Sequence, residues 1–130
     1  MDEKSLENLR ALVVEDDPAS AKLLAVVLQL EGCEVRTAQS AELARVELHS
    51  FQPQVAIVDL VLPHKSGLAF ISELSTNPLT RGVAVIAVSV LNGPALEAMA
   101  LQAGSLAYLR KPIDPTVLVQ TVVRVSQERT

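Results

Sequence analysis

Val55-Ala56-Ile57-Val58-Asp59 and Val83-Ala84-Val85-Ile86-Ala87-Val88-Ser89 decide the fold. Each is an unbroken run of small and β-branched apolar side chains closed by one polar residue. An amphipathic helix would interrupt such a run with charge each turn, and a half-exposed strand would alternate. Both therefore read as strands buried on two faces. Outward from them, Ala11-Leu12-Val13-Val14 runs into Glu15-Asp16-Asp17, and Leu106-Ala107-Tyr108-Leu109-Arg110 runs into Lys111-Pro112. Doubly buried strands belong to parallel sheets, whose carboxyl ends gather at one edge, where ligands bind. Carboxylates, a hydroxyl and an ammonium would meet there.

The segments between the runs carry helix punctuation. The first strand covers about 10–15, Asp17 reads as an N-cap with Pro18 at the first helical position, and Gly32 stops that helix after about Glu31. Cys33 to Thr37 alternates apolar and polar residues, as an edge strand should. Ser40 caps a second helix to about Ser50, and Gly67 opens a third that fades before Asn77-Pro78. Asn92-Gly93-Pro94 starts a fourth that Gly104 ends, and Asp114-Pro115 caps a fifth to about Gln127. Residues 1–9 read as a polar extension with a short helix from Ser5 to Leu9, 10–127 as one domain, and 128–130 as a tail. The alternation predicts an α/β fold, a (βα)5 three-layer sandwich with right-handed crossovers. With the alternating strand on an edge, the five-stranded parallel sheet takes the order 2-1-3-4-5, and Glu15 and Asp16 face Asp59 at its switch point.

Composition narrows the function. The chain has 130 residues, enough for one domain with a real core. Hydrophobic residues make up 49% and charged residues 20%, a globular balance. A net charge of −4 gives no basic face, which argues against direct nucleic-acid binding. No apolar stretch is long enough for membrane insertion, and no signal-peptide core follows Met1-Asp2-Glu3-Lys4. Cys33 stands alone, so no intramolecular disulfide and no cysteine metal site exist, and a buried, reduced thiol in the cytoplasm is expected.

The clustered acids want a cation, because neighbouring carboxylates repel and one holds a proton unless positive charge sits among them. Mg²⁺ suits hard oxygen donors, so Asp16 and Asp59 are candidate ligands, with Glu15 holding a coordinated water and the Val61 backbone carbonyl completing the set. Asp17 reads only as a cap. Asp59, ending a buried strand, is the candidate nucleophile, since carboxylates form aspartyl-phosphate. Phosphoryl transfer asks the protein for little beyond in-line placement and charge neutralisation. Lys111 supplies an ammonium to pair with Asp59 at rest or to reach a phosphoryl oxygen. Ser89 supplies a rotatable hydroxyl. His64, alone in a loop, and His49, at the end of the second helix, stay outside this site.

These motifs together resemble the receiver domain of two-component response regulators from about Arg10 to Gln127. Leu12-Val13-Val14-Glu15-Asp16-Asp17-Pro18 looks like the family's acidic opening, and Val55 through Pro63, with Gly67, looks like its phosphoacceptor strand and loop. Val85-Ile86-Ala87-Val88-Ser89 looks like its Thr/Ser strand, and Ala103-Gly104, Tyr108 and Lys111-Pro112 look like its closing segment. The resemblance implies a flavodoxin-like fold, a phosphoacceptor Asp59, Mg²⁺ as cofactor, and a histidine kinase or histidine phosphotransfer protein as donor. It implies a switch in which Ser89 moves toward the phosphoryl group and Tyr108 changes rotamer. The face made by helix 4, strand 5 and helix 5 would then bind a downstream protein effector or a second copy of the chain. The protein would catalyse only its own phosphorylation and dephosphorylation.

Five positions depart from the commonest family pattern: Ser89 for Thr, Val90 for a small residue, Ile113 for Phe, and apolar Val61 and Leu91 where hydrolysis is tuned. The last pair implies a long-lived phosphoryl state. The fifth helix carries Val117, Leu118, Val119, Val122, Val123 and Val125, an arc wide enough for a partner surface or an ordinary core face. No output domain is expected after Gln127, so signalling would pass through another protein, unless the chain is an excised receiver of a hybrid kinase or multidomain regulator. A small Mg²⁺-dependent phosphohydrolase is the alternative from another class, but Val61 stands where such enzymes carry a second aspartate. A flavodoxin-like cofactor binder lacks its phosphate loop here, and a phosphorylation-independent interaction module is the last option.

Overall fold

β1 (Arg10–Val14), β3 (Val55–Asp59) and β4 (Ala84–Ser89) form the centre of a parallel sheet edged by β2 (Glu34–Ala38) and β5 (Ala107–Arg110) in the computed structural model, which describes residues 5–91 and 93–128. The strand order is β2-β1-β3-β4-β5, the flavodoxin-like α/β order that the sequence predicts. Ala11 lies opposite both Val35 and Val55, Val55 opposite Ala84, and Ile86 opposite Ala107. Five helices complete the alternation: α1 (Pro18–Gln29), α2 (Ala41–Phe51), α3 (Gly67–Thr76), α4 (Pro94–Ala103) and α5 (Pro115–Glu128).

Successive strand residues point to opposite faces, so each strand feeds two cores. Ala11, Val13, Ile57 and Ile86 pack with α1 and α5, through Leu24, Leu28, Leu118 and Val122. Leu12, Val14, Val58 and Val85 pack with α2, α3 and α4, through Ala44, Phe70, Ile71 and Ala100. Burying each larger aliphatic side chain contributes about 1.5–3 kcal/mol, which explains why the three central strands need unbroken apolar runs. β2 faces solvent through Glu34, Arg36 and Thr37, as an edge strand can.

The caps act where expected. Asp17 accepts the Ser20 N–H at 3.0 Å, Ser40 that of Leu43 at 3.2 Å, and Asp114 that of Thr116 at 2.8 Å. Four details differ from the sequence reading. β2 begins at Glu34 rather than Cys33, and the first strand ends at Val14 rather than Glu15. Residues 5–8 form a turn, not a helix, with Asn8 in the left-handed region at φ 67°. Leu6 is buried, its N–H donating to the Glu31 carbonyl at 3.0 Å, so the polar lead-in carries a core plug. The α5 arc is mostly core, with Leu118, Val122 and Val125 buried and Val119 and Val123 packed against them. Asn92, Met1 to Lys4 and residues 129–130 lie outside the described residues.

Candidate functional site

Parallel strands bring four polar residues to one edge. Asp59 and Ser89 end β3 and β4, while Glu15 and Lys111 follow β1 and β5 directly. Glu15 is 1% exposed, Asp59 5% and Ser89 0%, whereas Asp16 is open to solvent. Buried charges persist only when paired, and one ammonium does the pairing here. Lys111 Nζ donates to Asp59 Oδ2 at 2.7 Å and also to Glu15 Oε1. The second oxygen of Glu15 accepts the Asp17 N–H at 3.1 Å, and Asp59 Oδ1 accepts the Val61 N–H at 2.9 Å.

The electrostatics follow from this arrangement. Burial pushes the Glu15 carboxyl above its usual range, and the Asp59 charge adds to that, against the Lys111 and Asp17 hydrogen bonds that hold it down. Burial alone would lower the Lys111 ammonium, but hydrogen bonds to Asp59 and Glu15 outweigh it and leave the group above its ordinary value. Lys111 is therefore a permanent cation.

A metal fits the remaining charge. Glu15, Asp16 and Asp59 each bring one carboxylate oxygen within 4.8 Å of the others. Three carboxylates face a single ammonium, so the cluster keeps an excess of negative charge. All its donors are hard oxygens, the set that Mg²⁺ takes. Val61 lies in the same loop, two residues beyond Asp59.

That loop turns back sharply. The Gly67 N–H donates to the Leu60 carbonyl at 2.9 Å, and a Cβ at Gly67 would sit 2.2 Å from the Asp59 carbonyl oxygen. Only glycine allows this approach. On the far side, Ser89 Oγ accepts the Leu91 N–H at 3.0 Å, and the Leu91 carbonyl accepts the Tyr108 hydroxyl at 2.7 Å. One residue, Leu91, thus links the buried serine to the half-buried tyrosine.

All seven residues singled out from the sequence lie at this edge or on that link: Glu15, Asp16, Asp59, Val61, Ser89, Lys111 and Tyr108. His49 stays at the far end of α2, and His64 occupies the loop tip. Two features escaped the sequence. Lys111 binds Glu15 as well as Asp59, and a groove of about 400 Å³ beside Lys111 runs between α1 and the start of α5, lined by Leu23, Val27, Val90 and Ile113. Exposed Leu23, Val26 and Leu30 continue it as a stripe along α1. The helical spacing of that stripe was the available signal.

Known proteins show the same architecture. The response regulator PleD of Caulobacter vibrioides is 31% identical over 113 residues, covering 87% of this chain and 25% of PleD. The chain thus spans about a quarter of that relative's length. A CheY-like response regulator receiver domain protein from Methanospirillum hungatei superposes with a TM-score of 0.86 at 26% identity, covering 94% of this chain and 96% of the other. A crystal structure from Chloroflexus aurantiacus gives a TM-score of 0.88 at 29% identity, over 93% and 99% of the two chains. The family described as the response regulator receiver domain matches residues 11–123, and this chain belongs to it.

Proposed function

We propose that Asp59 accepts a phosphoryl group from a phosphohistidine, on a histidine kinase or a histidine phosphotransfer protein, and that the adduct switches the α4–β5–α5 face. The observation that carries this reading is a buried carboxylate already held by an ammonium at 2.7 Å within a three-carboxylate cluster.

In the transfer, an Asp59 oxygen attacks phosphorus, the P–N bond breaks, and the donor imidazole leaves with the electron pair and takes a proton from water. Lys111 exchanges its bond to Asp59 for one to a phosphoryl oxygen. Glu15 keeps the ammonium aimed at that point. Mg²⁺, held by Asp16, Asp59 and the Val61 carbonyl with Glu15 beside it, would neutralise charge on the transferred oxygens. Ser89 can donate its hydroxyl to the adduct, and turning its Oγ toward the phosphoryl group would draw it away from the Leu91 N–H. The Leu91 peptide then shifts, and Tyr108 loses its acceptor. This transmits a local charge event to a surface element.

That surface has apolar material to offer. α4 buries Ala100 and leaves Met99 and Leu101 exposed, with Leu91 and Leu106 at its two ends. A downstream protein, or a second copy of this chain, would bind there. The groove along α1 adjoins Lys111, so a helix of the phosphodonor seated in it would stand beside Asp59. Val61 and Leu91, each 52% exposed, give an attacking water no side chain to hold it, which favours a lasting adduct.

Incubation with acetyl phosphate and Mg²⁺ tests this. Intact mass should rise by one phosphoryl group in the wild type, and by none in Asp59→Asn or with excess EDTA. An unchanged wild-type mass at saturating donor overturns the reading, and so does rapid multiple-turnover phosphate release with no adduct accumulating.

A further inference from the structure

The loop that leaves Asp59 is held from outside by charges that the transfer chemistry does not use. It runs from Leu60 to Ser66, and at its tip His64 lies in the left-handed region at φ 68°. A non-glycine residue there is strained, so its surroundings must hold it. Next to His64, Lys65 Nζ reaches Glu73 of α3 at 3.2 Å. Glu73 in turn takes Arg45 of α2 in a two-pronged pair, at 2.6 Å to Nε and 2.9 Å to Nη2. One turn earlier on α2, the Glu42 carboxyl is lowered first by its own backbone N–H, then by Ser40, with smaller contributions from His64 and Arg45.

Signs alternate through this group: Glu42, Arg45, Glu73, Lys65. Lys65 and Glu73 are about one-third exposed and Glu42 and Arg45 more so, and an isolated pair at such exposure contributes little. Bidentate arginine geometry and a network are the exceptions to that rule. The Arg45 hydrogen bonds, helped by Lys65 against the burial of the group, hold the Glu73 carboxyl down at about 2, so it stays ionised throughout the physiological range.

We propose that Glu73 is a positioning residue for the phosphoacceptor loop. By gathering Arg45 and Lys65 it clamps residues 60–66 between α2 and α3, fixes the Val61 backbone against Asp59, and so sets the site's affinity for a divalent cation. The inference rests on the phosphoacceptor reading only in taking Asp59 and Val61 as the cation's neighbours.

The test uses the unphosphorylated full chain and no phosphodonor. Amide hydrogen exchange reports on residues 61–66, titration calorimetry gives the Mg²⁺ Kd, and Tm monitors the fold. Glu73→Gln should speed loop exchange and weaken Mg²⁺ binding by about threefold to fivefold, the range of a well-formed ion pair, with β1, β3 and β4 amides unchanged. Lys65→Met, which leaves the Arg45–Glu73 pair intact, should give the same loop and Mg²⁺ changes with Tm unmoved. Exchanging the pair, Arg45→Glu with Glu73→Arg, should recover most of the Tm that Glu73→Gln loses, short of the repulsion from Glu42, but not the loop, because Lys65 then faces a cation. Adding Lys65→Glu should restore the loop as well. Loop exchange and Mg²⁺ Kd within twofold of wild type in the two neutral variants overturn the proposal, as does full rescue by the double exchange. A missing acetyl phosphate adduct would sink the phosphoacceptor reading and leave these measurements intact.

Discussion

At the carboxyl edge of the sheet Glu15, Asp59 and Ser89 are buried polar groups tied to a lysine, whereas at the amino edge Leu6 closes the α1–α5 core and backbone bonds finish the seal. There the Arg10 N–H donates to the Gln54 side chain at 2.8 Å, and the Cys33 thiol donates to the Leu9 carbonyl at 3.1 Å. Burial also pushes that thiol up to about 11, which keeps it inert. The same five strands therefore end in opposite environments. One end carries charge that opposes folding, and the other supplies apolar burial that offsets it.

Lys111→Met should break this contrast most severely. Removing the ammonium leaves Glu15 and Asp59 facing each other, and breaking a buried pair costs about 3 kcal/mol or more. Urea denaturation in EDTA should show that loss, with Mg²⁺ recovering part of it. Phosphoryl uptake from acetyl phosphate should fall about 100-fold or more, the scale of losing one electrostatic stabiliser. Leu6→Ala should do the reverse at the other end. It should lower stability by about 2–4 kcal/mol, as large-to-small core changes do, while the rate of phosphoryl uptake on the folded protein stays unchanged. A slower uptake in that variant would show the two ends to be coupled.

The smallest effect is a slope. The Glu15 carboxyl is raised above its ordinary 4.5 by burial, so the folded protein takes up this proton at higher pH than the unfolded chain. Its contribution to stability therefore grows as pH falls through the raised value toward 4.5. Glu73, lowered to about 2, has the opposite sign: its contribution is present above 4.5 and is lost as pH falls through about 2. Urea midpoints between pH 4.5 and 7 should therefore rise less steeply toward acid in Glu15→Gln than in the wild type. Equal slopes would place the charge burden elsewhere.

The contrast also marks what the sequence could tell. The central strands were legible because Val, Ile and Ala leave no other way to bury two faces, and their terminal polar residues marked the carboxyl edge. The 2-1-3-4-5 order followed from the apolar–polar alternation along Cys33 to Thr37, which put that strand on an edge. Leu6 was illegible because two leucines, Leu6 and Leu9, in a short polar stretch are too few to set a period. The width of the α5 arc left a core face and a partner surface equally open, because Val119 and Val123 pack at its margins, where sequence spacing cannot separate half-buried from free. The Arg45–Glu73 pair spans 28 residues, and nothing local announces it. Lys111 showed one partner in the sequence and has two, since Glu15 sits 96 residues away and only the β1–β3–β4–β5 layout joins them.

The edge strand β2 has a further consequence. Arg36 lies over the Phe51 ring at 4.6 Å and pairs with Glu47 at 3.1 Å, so its guanidinium is held against α2 on an edge strand. An antiparallel neighbour centred on this residue would set guanidinium against guanidinium, a like-charge opposition that disfavours pairing. Fibre-like growth through that border is thereby discouraged.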